Sequence, residues 1–301
     1  MANNHFGEIG DVWKHLPRAE ILAQERPVRY WESHAGSATY PLSRSWQREY
    51  GIYRVLDRAV VTPALAASQY VSLLATLPHG DGYPTLYPGS ATFAMRLLGP
   101  SVSEYVLCDL DPQSITSLEH EARAVGLTDR VQCIQEDGIA ILWERMASLT
   151  PAQAAMTLIH IDPFEPHDTS RRSGRSTVDL CFALAGRGCM VVYWYAVMRP
   201  EDRGWAGHLI APRVAGQVRS LWAGEIALTA LRGSDLPPNP GVLGCGVLCA
   251  NLSEPVIRAC TALGDALAMT YRAASLPQGR SGALEFVAQR LDWPSGKNAG
   301  R

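Results

Sequence analysis

The sequence predicts an α/β fold in which helices cover both faces of a mostly parallel, doubly wound sheet. Two observations support this prediction. Short apolar runs typical of buried strands alternate along the chain with longer segments of helical periodicity. In addition, three of these runs end at an acidic residue, namely Asp109, Asp137 and Asp162. Because open α/β sheets bind ligands at the carboxyl ends of their strands, the acids indicate a ligand site at that edge.

The composition is ordinary for a globular enzyme, with 301 residues, 47% hydrophobic residues and a formal charge of −2. A general binder of phosphate backbones normally carries a basic excess, so this balance argues against a nucleic-acid partner. Cys245 and Cys249 lack the second pair or histidines that a zinc site needs, and we expect buried thiols and no metal. No stretch has a signal-peptide pattern or membrane-spanning length, which predicts a cytoplasmic protein with no membrane partner.

The amino-terminal part is expected to be a helical segment over residues 1–26 that contributes to the ligand site. Asp11 is predicted to cap its helix, with Val12 and Leu16 on the apolar face. A main domain is expected to follow over residues 27–294, ahead of a disordered tail at 295–301.

The first strand of this domain is predicted at residues 28–31, and it leads into a turn of small residues at 35–38 that includes Gly36. Small residues allow a ligand to approach the backbone closely. Helical periodicity from Ser45 to Leu77, broken at Thr62-Pro63, then predicts a helical insertion over about residues 45–84. We expect this insertion to face the substrate.

The remaining elements follow from the same patterns. Further strands are predicted at 105–109, 131–135, 157–162, 189–195, 225–231 and 242–251, with a candidate last strand at 283–290. Helices are predicted at 113–125, 139–146, 205–222 and 255–269. The strands at 225–231 and 242–251 are expected to be antiparallel, near one edge of the sheet.

The acids at the strand ends suit a nucleoside. Asp109, after the second strand, is placed to bind a pair of ribose hydroxyls, and Asp137, followed by Gly138, is placed to contact an adenine amino group. The chain has no G-x-x-x-x-G-K-[ST] sequence, and its first turn lacks G-x-G-x-x-G. A nucleoside without phosphates therefore fits better than NAD or ATP, and S-adenosylmethionine is the common ligand of that kind.

Several short segments, in one order along the chain, resemble the large-subunit ribosomal RNA adenine-N6 methyltransferase family of RlmJ type. The family's H-A-G-N-H-A-D-V-x-K-H resembles residues 5–15, its D-T-H-A-G resembles residues 32–36, and its Y-P-G-S is unchanged at residues 87–90. Its D-G and W-Y-P fall on residues 137–138 and 194–196. The resemblance implies a Rossmann-like class I S-adenosylmethionine-dependent methyltransferase fold with a mostly parallel, seven-stranded sheet.

The resemblance also implies roles for single residues. The residues expected to contact S-adenosylmethionine are His15, His34, Gly36, Ser90, Asp109, Asp137 and Gly138. The two histidines would lie near its methionine portion, and the Ser90 hydroxyl would donate to the methionine carboxylate. Asp162 would occupy the catalytic position. His5, Phe164 and Tyr195 are candidate substrate-binding residues.

The catalytic motif departs from the family pattern. The family has D-P-P-Y, in which the tyrosine stacks on an extruded base, whereas this chain has Asp162-Pro163-Phe164-Glu165. A carboxylate provides no stacking surface and repels a nearby phosphate. We therefore predict that the cofactor side is retained, that the acceptor side has changed, and that Glu165 binds a positive group. Residues 168–175 form a candidate lid whose three arginines either hold an anion or are simply solvated.

Three function classes remain open at this point. The changed motif and the near-neutral charge favour methyl transfer to a small molecule that bears an amine or a carboxylate. If Phe164 supplies the stacking ring, the acceptor is an adenine of 23S ribosomal RNA. In the third class S-adenosylmethionine is itself the substrate, and cleavage or cyclisation of its aminobutyrate arm releases methylthioadenosine. A binding module without activity is the remaining alternative.

Overall fold

The computed structural model describes residues 5–163, 165, 168–204, 208, 211–214, 216–232, 244–271, 275–276 and 280–291. Phe164 and the expected tail at 295–301 lie outside these residues. Helices are α1 (Ile9–Glu25), α2 (Trp46–Tyr50), α3 (Ile52–Ala59), α4 (Pro63–Ala66), α5 (Gln69–Leu74), α6 (Ser90–Leu98), α7 (Pro112–Ala124), α8 (Gly138–Ala147), α9 (Pro151–Ala155), α10 (Thr177–Gly186), α11 (Ala211–Val214) and α12 (Glu254–Met269), with 3-10 turns at Gly99–Ser101 and Pro200–Asp202.

Strands are β1 (Arg29–Glu32), β2 (Thr39–Pro41), β3 (His79–Gly80), β4 (Tyr83–Pro84), β5 (Leu86–Pro88), β6 (Glu104–Cys108), β7 (Val131–Ile134), β8 (Thr157–Ile161), β9 (Met190–Val197), β10 (Leu221–Arg232), β11 (Gly244–Ala250), β12 (Ser275–Leu276) and β13 (Arg280–Arg290). The main sheet has the order β12-β13-β10-β11-β9-β8-β1-β6-β7. The five strands from β9 to β7 are parallel, and the other four are antiparallel additions.

This topology confirms the predicted fold class, including the antiparallel pair β10 and β11. The sheet is larger than the seven strands expected, because β13 and the two-residue β12 extend its antiparallel edge. Chain order reverses beside β1, which lies between β6 and β8. The carboxyl ends of these strands therefore meet at a topological switch point, where doubly wound sheets bind ligands.

Two hydrophobic cores cover the two faces of the sheet. One face carries α1, α6, α7, α12 and the insertion, and the other carries α8, α9 and α10. The predicted helix over 205–222 is wrong at its carboxyl end. Gly216 has a positive φ of 75°, and Leu221 and Trp222 are buried residues of β10 that pair with β11. No helix among the described residues is long and apolar enough to cross a membrane.

Helix α1 is largely buried and packs among α5, α6, α12 and β11. The prediction that Asp11 caps it is wrong, because α1 begins two residues earlier, after Glu8. Asp11 Oδ2 instead accepts from the backbone N–H of Gly7 at 2.9 Å. Asp11 and the polar residues that follow it, Lys14, His15 and Arg18, lie three or four residues apart and so share one side of the helix.

The insertion consists of the four short helices α2 to α5 and the strand pair β3–β4, and the second small pair, β2–β5, flanks it on both sides in sequence. Ser45 and Ser68 cap α2 and α5 through their hydroxyls, and Pro63 begins α4, a position that suits proline. Helix α2 ends at Gly51, where a Cβ atom would lie 2.1 Å from the carbonyl oxygen of Gly7. This backbone contact fixes the insertion against the start of α1.

Candidate cofactor and acceptor site

The turn after β1 is held by hydrogen bonds from its backbone N–H groups to side chains. The N–H groups of residues 36, 37 and 38 donate to the Asp109 carboxylate at 2.8 Å, the Tyr40 hydroxyl at 2.9 Å and the Ser117 hydroxyl at 3.2 Å. Gly36 has a φ of +62°, a left-handed conformation that glycine adopts without strain. Because these donors are already used, the turn cannot cradle a phosphate. The site therefore suits a ligand that lacks one.

Asp109 and Asp137 lie at the ends of β6 and β7, on either side of this edge. Asp109 also accepts from the N–H of Asp111 at 2.8 Å, so part of its role is to order the two turns. Asp137 caps α8 through the N–H groups of its first residues. At Gly138 a Cβ atom would lie 2.0 Å from the carbonyl oxygen of Ser33, so close backbone packing alone requires glycine there.

A buried ionic cluster lies beneath the turn, between α1 and β1. Arg18 is fully buried and donates to Tyr30 Oη at 2.8 Å, to Glu32 Oε1 at 3.3 Å and to the Ser90 carbonyl oxygen at 2.9 Å. Burial acts to raise the pKa of Glu32, but the nearby His160 and the Arg18 guanidinium lower it overall. Glu32 is therefore an anion whose partner is Arg18.

Ser90, expected to donate to the cofactor, is part of this cluster. Its hydroxyl donates to Glu32 Oε2 at 2.8 Å, so in this conformation its one hydrogen is already used. Ser90 begins α6 directly after Gly89. A Cβ atom at Gly89 would lie 2.1 Å from the Ser37 carbonyl oxygen. The structure thus brings Ser90 to the turn, but as a partner of Glu32.

His15 is likewise buried, with both ring nitrogens engaged. Arg18 donates to Nδ1 at 2.8 Å, and Nε2 lies 3.2 Å from Asp11 Oδ1. Burial lowers the pKa of His15 to about 4, which makes the ring neutral at pH 7. The ring stacks on Phe93, with centroids 5.0 Å apart. His15 therefore orients Asp11 and Arg18 and presents no free nitrogen in this conformation.

Lys14 joins the amino-terminal helix to the predicted catalytic position. Its Nζ donates to Asp162 Oδ2 at 2.8 Å and contacts Asp11 Oδ1 at 2.9 Å, with the Lys14 side chain only 9% exposed. Burial opposes charge on all three groups, but their mutual attraction raises the pKa of Lys14 and lowers those of Asp11 and Asp162. Asp162 is thus held as an anion.

The other acceptor-side candidates are dispersed. His5 is about half exposed and lies 3.3 Å from Glu8 at the start of α1. Glu165 is exposed, and its backbone carbonyl accepts from Asp168. Tyr195 is 1% exposed and donates to Glu225 at 2.7 Å. In this conformation Tyr195 lies in the core on the face of the sheet that α8, α9 and α10 cover, and its contact with a substrate stays a prediction.

His34 lies after β1 and connects the turn to residues 168–176. Its Nδ1 is 2.8 Å from Ser33 Oγ, and its Nε2 is 3.7 Å from Asp168 Oδ2. Two arginines of the candidate lid have partners in their own chain: Arg172 pairs with carboxylates of the α8 region, and Arg175 lies over Trp143. The idea that all three arginines hold an anionic ligand is therefore not supported.

The structure brings together His34, Gly36, Asp109, Asp137, Gly138 and Asp162 at one sheet edge, with His15 and Ser90 directly beneath. Sequence patterns did not reveal the buried charged network that contacts these residues. Its members are Asp11, Lys14, Arg18, Glu32 and His160. One signal was available in the sequence. Positions 11, 14, 15 and 18 are polar and lie on one side of a helix whose other residues are largely apolar. A helix that is apolar on most sides is buried, so its polar residues need partners inside the protein.

Comparison with known proteins gives a consistent result. A family model described as "Ribosomal RNA large subunit methyltransferase D, RlmJ" matches residues 25–222. No curated protein matches the chain. The crystal structure of protein LPL1258 from Legionella pneumophila, of family DUF519, aligns over 95% of this chain and 98% of that one, with 21% identity and a TM-score of 0.68. A SAM-dependent methyltransferase from Agrobacterium tumefaciens aligns over 80% and 60%, with 13% identity and a TM-score of 0.41.

Proposed function

Since the chain belongs to the RlmJ family of large-subunit ribosomal RNA methyltransferases, we propose that it transfers a methyl group to a small acceptor bearing an amine. The family and the fold make it an S-adenosylmethionine-dependent methyltransferase, and the proposal concerns its acceptor. The observation that supports a small acceptor most strongly is the state of the cations around the site. Among the described residues there, Lys14, Arg18 and Arg172 are paired with carboxylates of the chain itself. Arg175 lies over the Trp143 ring, which leaves Arg171 as the one exposed arginine of residues 168–175 without a described ion pair.

The described edge of the sheet fits the cofactor. S-adenosylmethionine supplies a methyl group on a positive sulfonium, an electrophile that needs no further activation. Asp109 and Asp137 provide carboxylates to a nucleoside, while residues 36–38 offer no free N–H groups to a phosphate. We therefore infer that Asp109 binds the ribose hydroxyls and that Asp137-Gly138 flanks the adenine.

Asp162 is proposed to orient the acceptor amine. Lys14 donates to Oδ2 of Asp162, and the Asp162 side chain is 15% exposed. The acceptor would therefore bind to Oδ1 of Asp162 from the solvent side. The lowered pKa of Asp162, caused by Lys14 against the opposing effect of burial, makes the carboxylate a weak base. Its contribution is therefore to accept a hydrogen bond from the neutral amine and to stabilise the positive charge that develops on nitrogen.

Glu165 is proposed to attract a cationic group on the same acceptor. It is exposed, and it occupies the position at which the family pattern has a stacking tyrosine. An RNA substrate would be repelled by this carboxylate and would need unpaired cations for its phosphates. Chemistry is completed when the proton of the methylated amine is lost to solvent beside Asp162.

Transfer of a labelled methyl group tests this proposal. The protein is incubated with methyl-labelled S-adenosylmethionine in three reactions: alone, with unmodified ribosomal RNA, and with a low-molecular-weight cell extract. We expect label in new small molecules only in the third, and its loss in Asp162→Asn. Label incorporated into adenine of the RNA would refute the small acceptor. Methylthioadenosine released in the first reaction would show that the cofactor is itself the substrate.

A further inference from the structure

Residues 168–176, here called the arginine hairpin, form a hydrogen-bonded hairpin between β8 and α10. Thr169 and Ser176 pair as an antiparallel bridge. Inside the bridge, the N–H of Ser170 donates to the Arg175 carbonyl at 2.9 Å, and that of Gly174 donates to the Ser170 carbonyl at 2.8 Å. Gly174 has a φ of +68°, which glycine adopts without strain. The hairpin therefore has a defined conformation of its own.

The hairpin contacts both sides of the sheet edge at which the cofactor's nucleoside is proposed to bind. At one end Asp168 lies 3.7 Å from His34, which follows β1. Further along, Arg172 donates at 2.8 Å to Glu136, the residue before Asp137. Strand β6, with Asp109 at its end, lies between β1 and β7 in the sheet. The two contacts thus flank the three strand ends in question.

The hairpin is fastened by polar contacts at the surface. Arg172 bridges two carboxylates, Glu136 and Glu144, at 2.8 Å each, and all three side chains are about half exposed. The Arg175 guanidinium lies 3.6 Å from the centre of the Trp143 ring. Exposed ion pairs of this kind are individually weak and are screened by salt. Contacts of this strength can break and re-form without a large change in the rest of the fold.

We propose that the arginine hairpin is the outer wall of the adenosine site and that Arg172 is the positioning residue that keeps this wall closed over the cofactor. The inference rests on the proposed function. It explains why Arg172, in a loop at the edge of the site, is paired with Glu136 and Glu144 of the chain itself. Nucleoside binding and release would then require the hairpin to move away from α8, and the ion pairs of Arg172 would slow release.

Titration with S-adenosylhomocysteine, combined with stopped-flow dissociation, tests this role. For Arg172→Ala we expect the Kd to rise about three- to tenfold, the range that the loss of two exposed ion pairs allows, through faster dissociation. High salt should weaken binding to the wild type and leave the variant less affected. Arg171→Ala is the matched control, because Arg171 is exposed and forms no described ion pair.

Glu144→Gln separates positioning from a direct effect on the ligand, because Glu144 lies on the second turn of α8 and acts through Arg172. It should weaken binding in the wild type and have no further effect in Arg172→Ala. If the wild type binds and Arg172→Ala binds as tightly, with only its thermal stability reduced, the hairpin is structural and this inference is refuted. If the wild type itself does not bind, the proposed function fails, and the hairpin's role fails with it.

Discussion

Replacing Lys14 by methionine tests the buried ion pairs that Lys14 forms with Asp11 and Asp162. The change keeps an unbranched side chain, one atom shorter, and removes the only cation among the described residues that contacts both Asp11 and Asp162. Breaking a buried ion pair costs about 3–5 kcal/mol, because it leaves an uncompensated charge. For a chain of this size the loss corresponds to a fall in Tm on the order of 5–15 °C.

The pH dependence of this loss identifies its cause. In the wild type the lowered pKa of Asp162 contributes stability above the ordinary carboxyl pKa, and this contribution is lost as pH falls through the lowered value. Without Lys14, burial raises the pKa of Asp162, so the unpaired carboxylate destabilises the fold at neutral pH and becomes protonated on acidification. His15 also protonates more easily, because Lys14 helps to lower its pKa. The deficit should therefore shrink by at least about 1 kcal/mol from pH 7.5 to pH 5.

Denaturant unfolding of four proteins measures both effects. These are the wild type, Lys14→Met, Asp162→Asn and the double variant. Asp162→Asn should destabilise the wild type, because Lys14 loses a partner, and should stabilise Lys14→Met, because it removes an unpaired carboxylate. A deficit of Lys14→Met that stays constant with pH, or an additive double variant, would refute the assignment of Lys14 as the shared partner of the two acids.

The other predictions concern single residues. Asp162→Asn should lower kcat about 100-fold or more while changing the cofactor Kd less than about threefold; a matching loss of affinity would make Asp162 a binding residue. Gly138→Ala should destabilise the fold by more than about 2 kcal/mol, because its Cβ meets the Ser33 carbonyl, whereas Gly186→Ala at the end of α10 should be tolerated; equal melting temperatures would contradict this. Because burial lowers the pKa of His15 to about 4, stability should fall as pH decreases from about 6.5 towards 4, by up to about 3 kcal/mol, and His15→Gln should reduce that slope in denaturation curves.

The parallel part of the fold could be predicted because its signals are local. Apolar runs that end in an acid or a small residue predicted the bounds of the strands closely. One strand, for example, was predicted at 105–109 and is observed at Glu104–Cys108. Helix α12 was predicted at 255–269 and observed at Glu254–Met269. The start of β10 was missed because Leu221 and Trp222 fit a helical periodicity as well as a strand. Their strand conformation depends on pairing with β11, which is distant in sequence.

The site was predictable in outline but not in its contacts. The acids at 109, 137 and 162 were placed correctly, because strand direction alone brings carboxyl ends to one edge. That Lys14 holds Asp162 depends on how α1 packs against the end of β8, and that Glu32 holds Ser90 depends on how α6 packs against β1. No local pattern specifies either contact. That Tyr195 donates to Glu225 could not be predicted either, because the two residues lie on different strands that are far apart in sequence.

Calorimetric titration with S-adenosylhomocysteine most directly tests the central claim that the carboxyl edge of β1, β6 and β7 holds an adenosine. The account predicts one binding site in the wild type, an affinity lowered about tenfold or more in Asp109→Asn, and no comparable binding of ATP. Absence of binding in the wild type, or undiminished binding in Asp109→Asn, would contradict it.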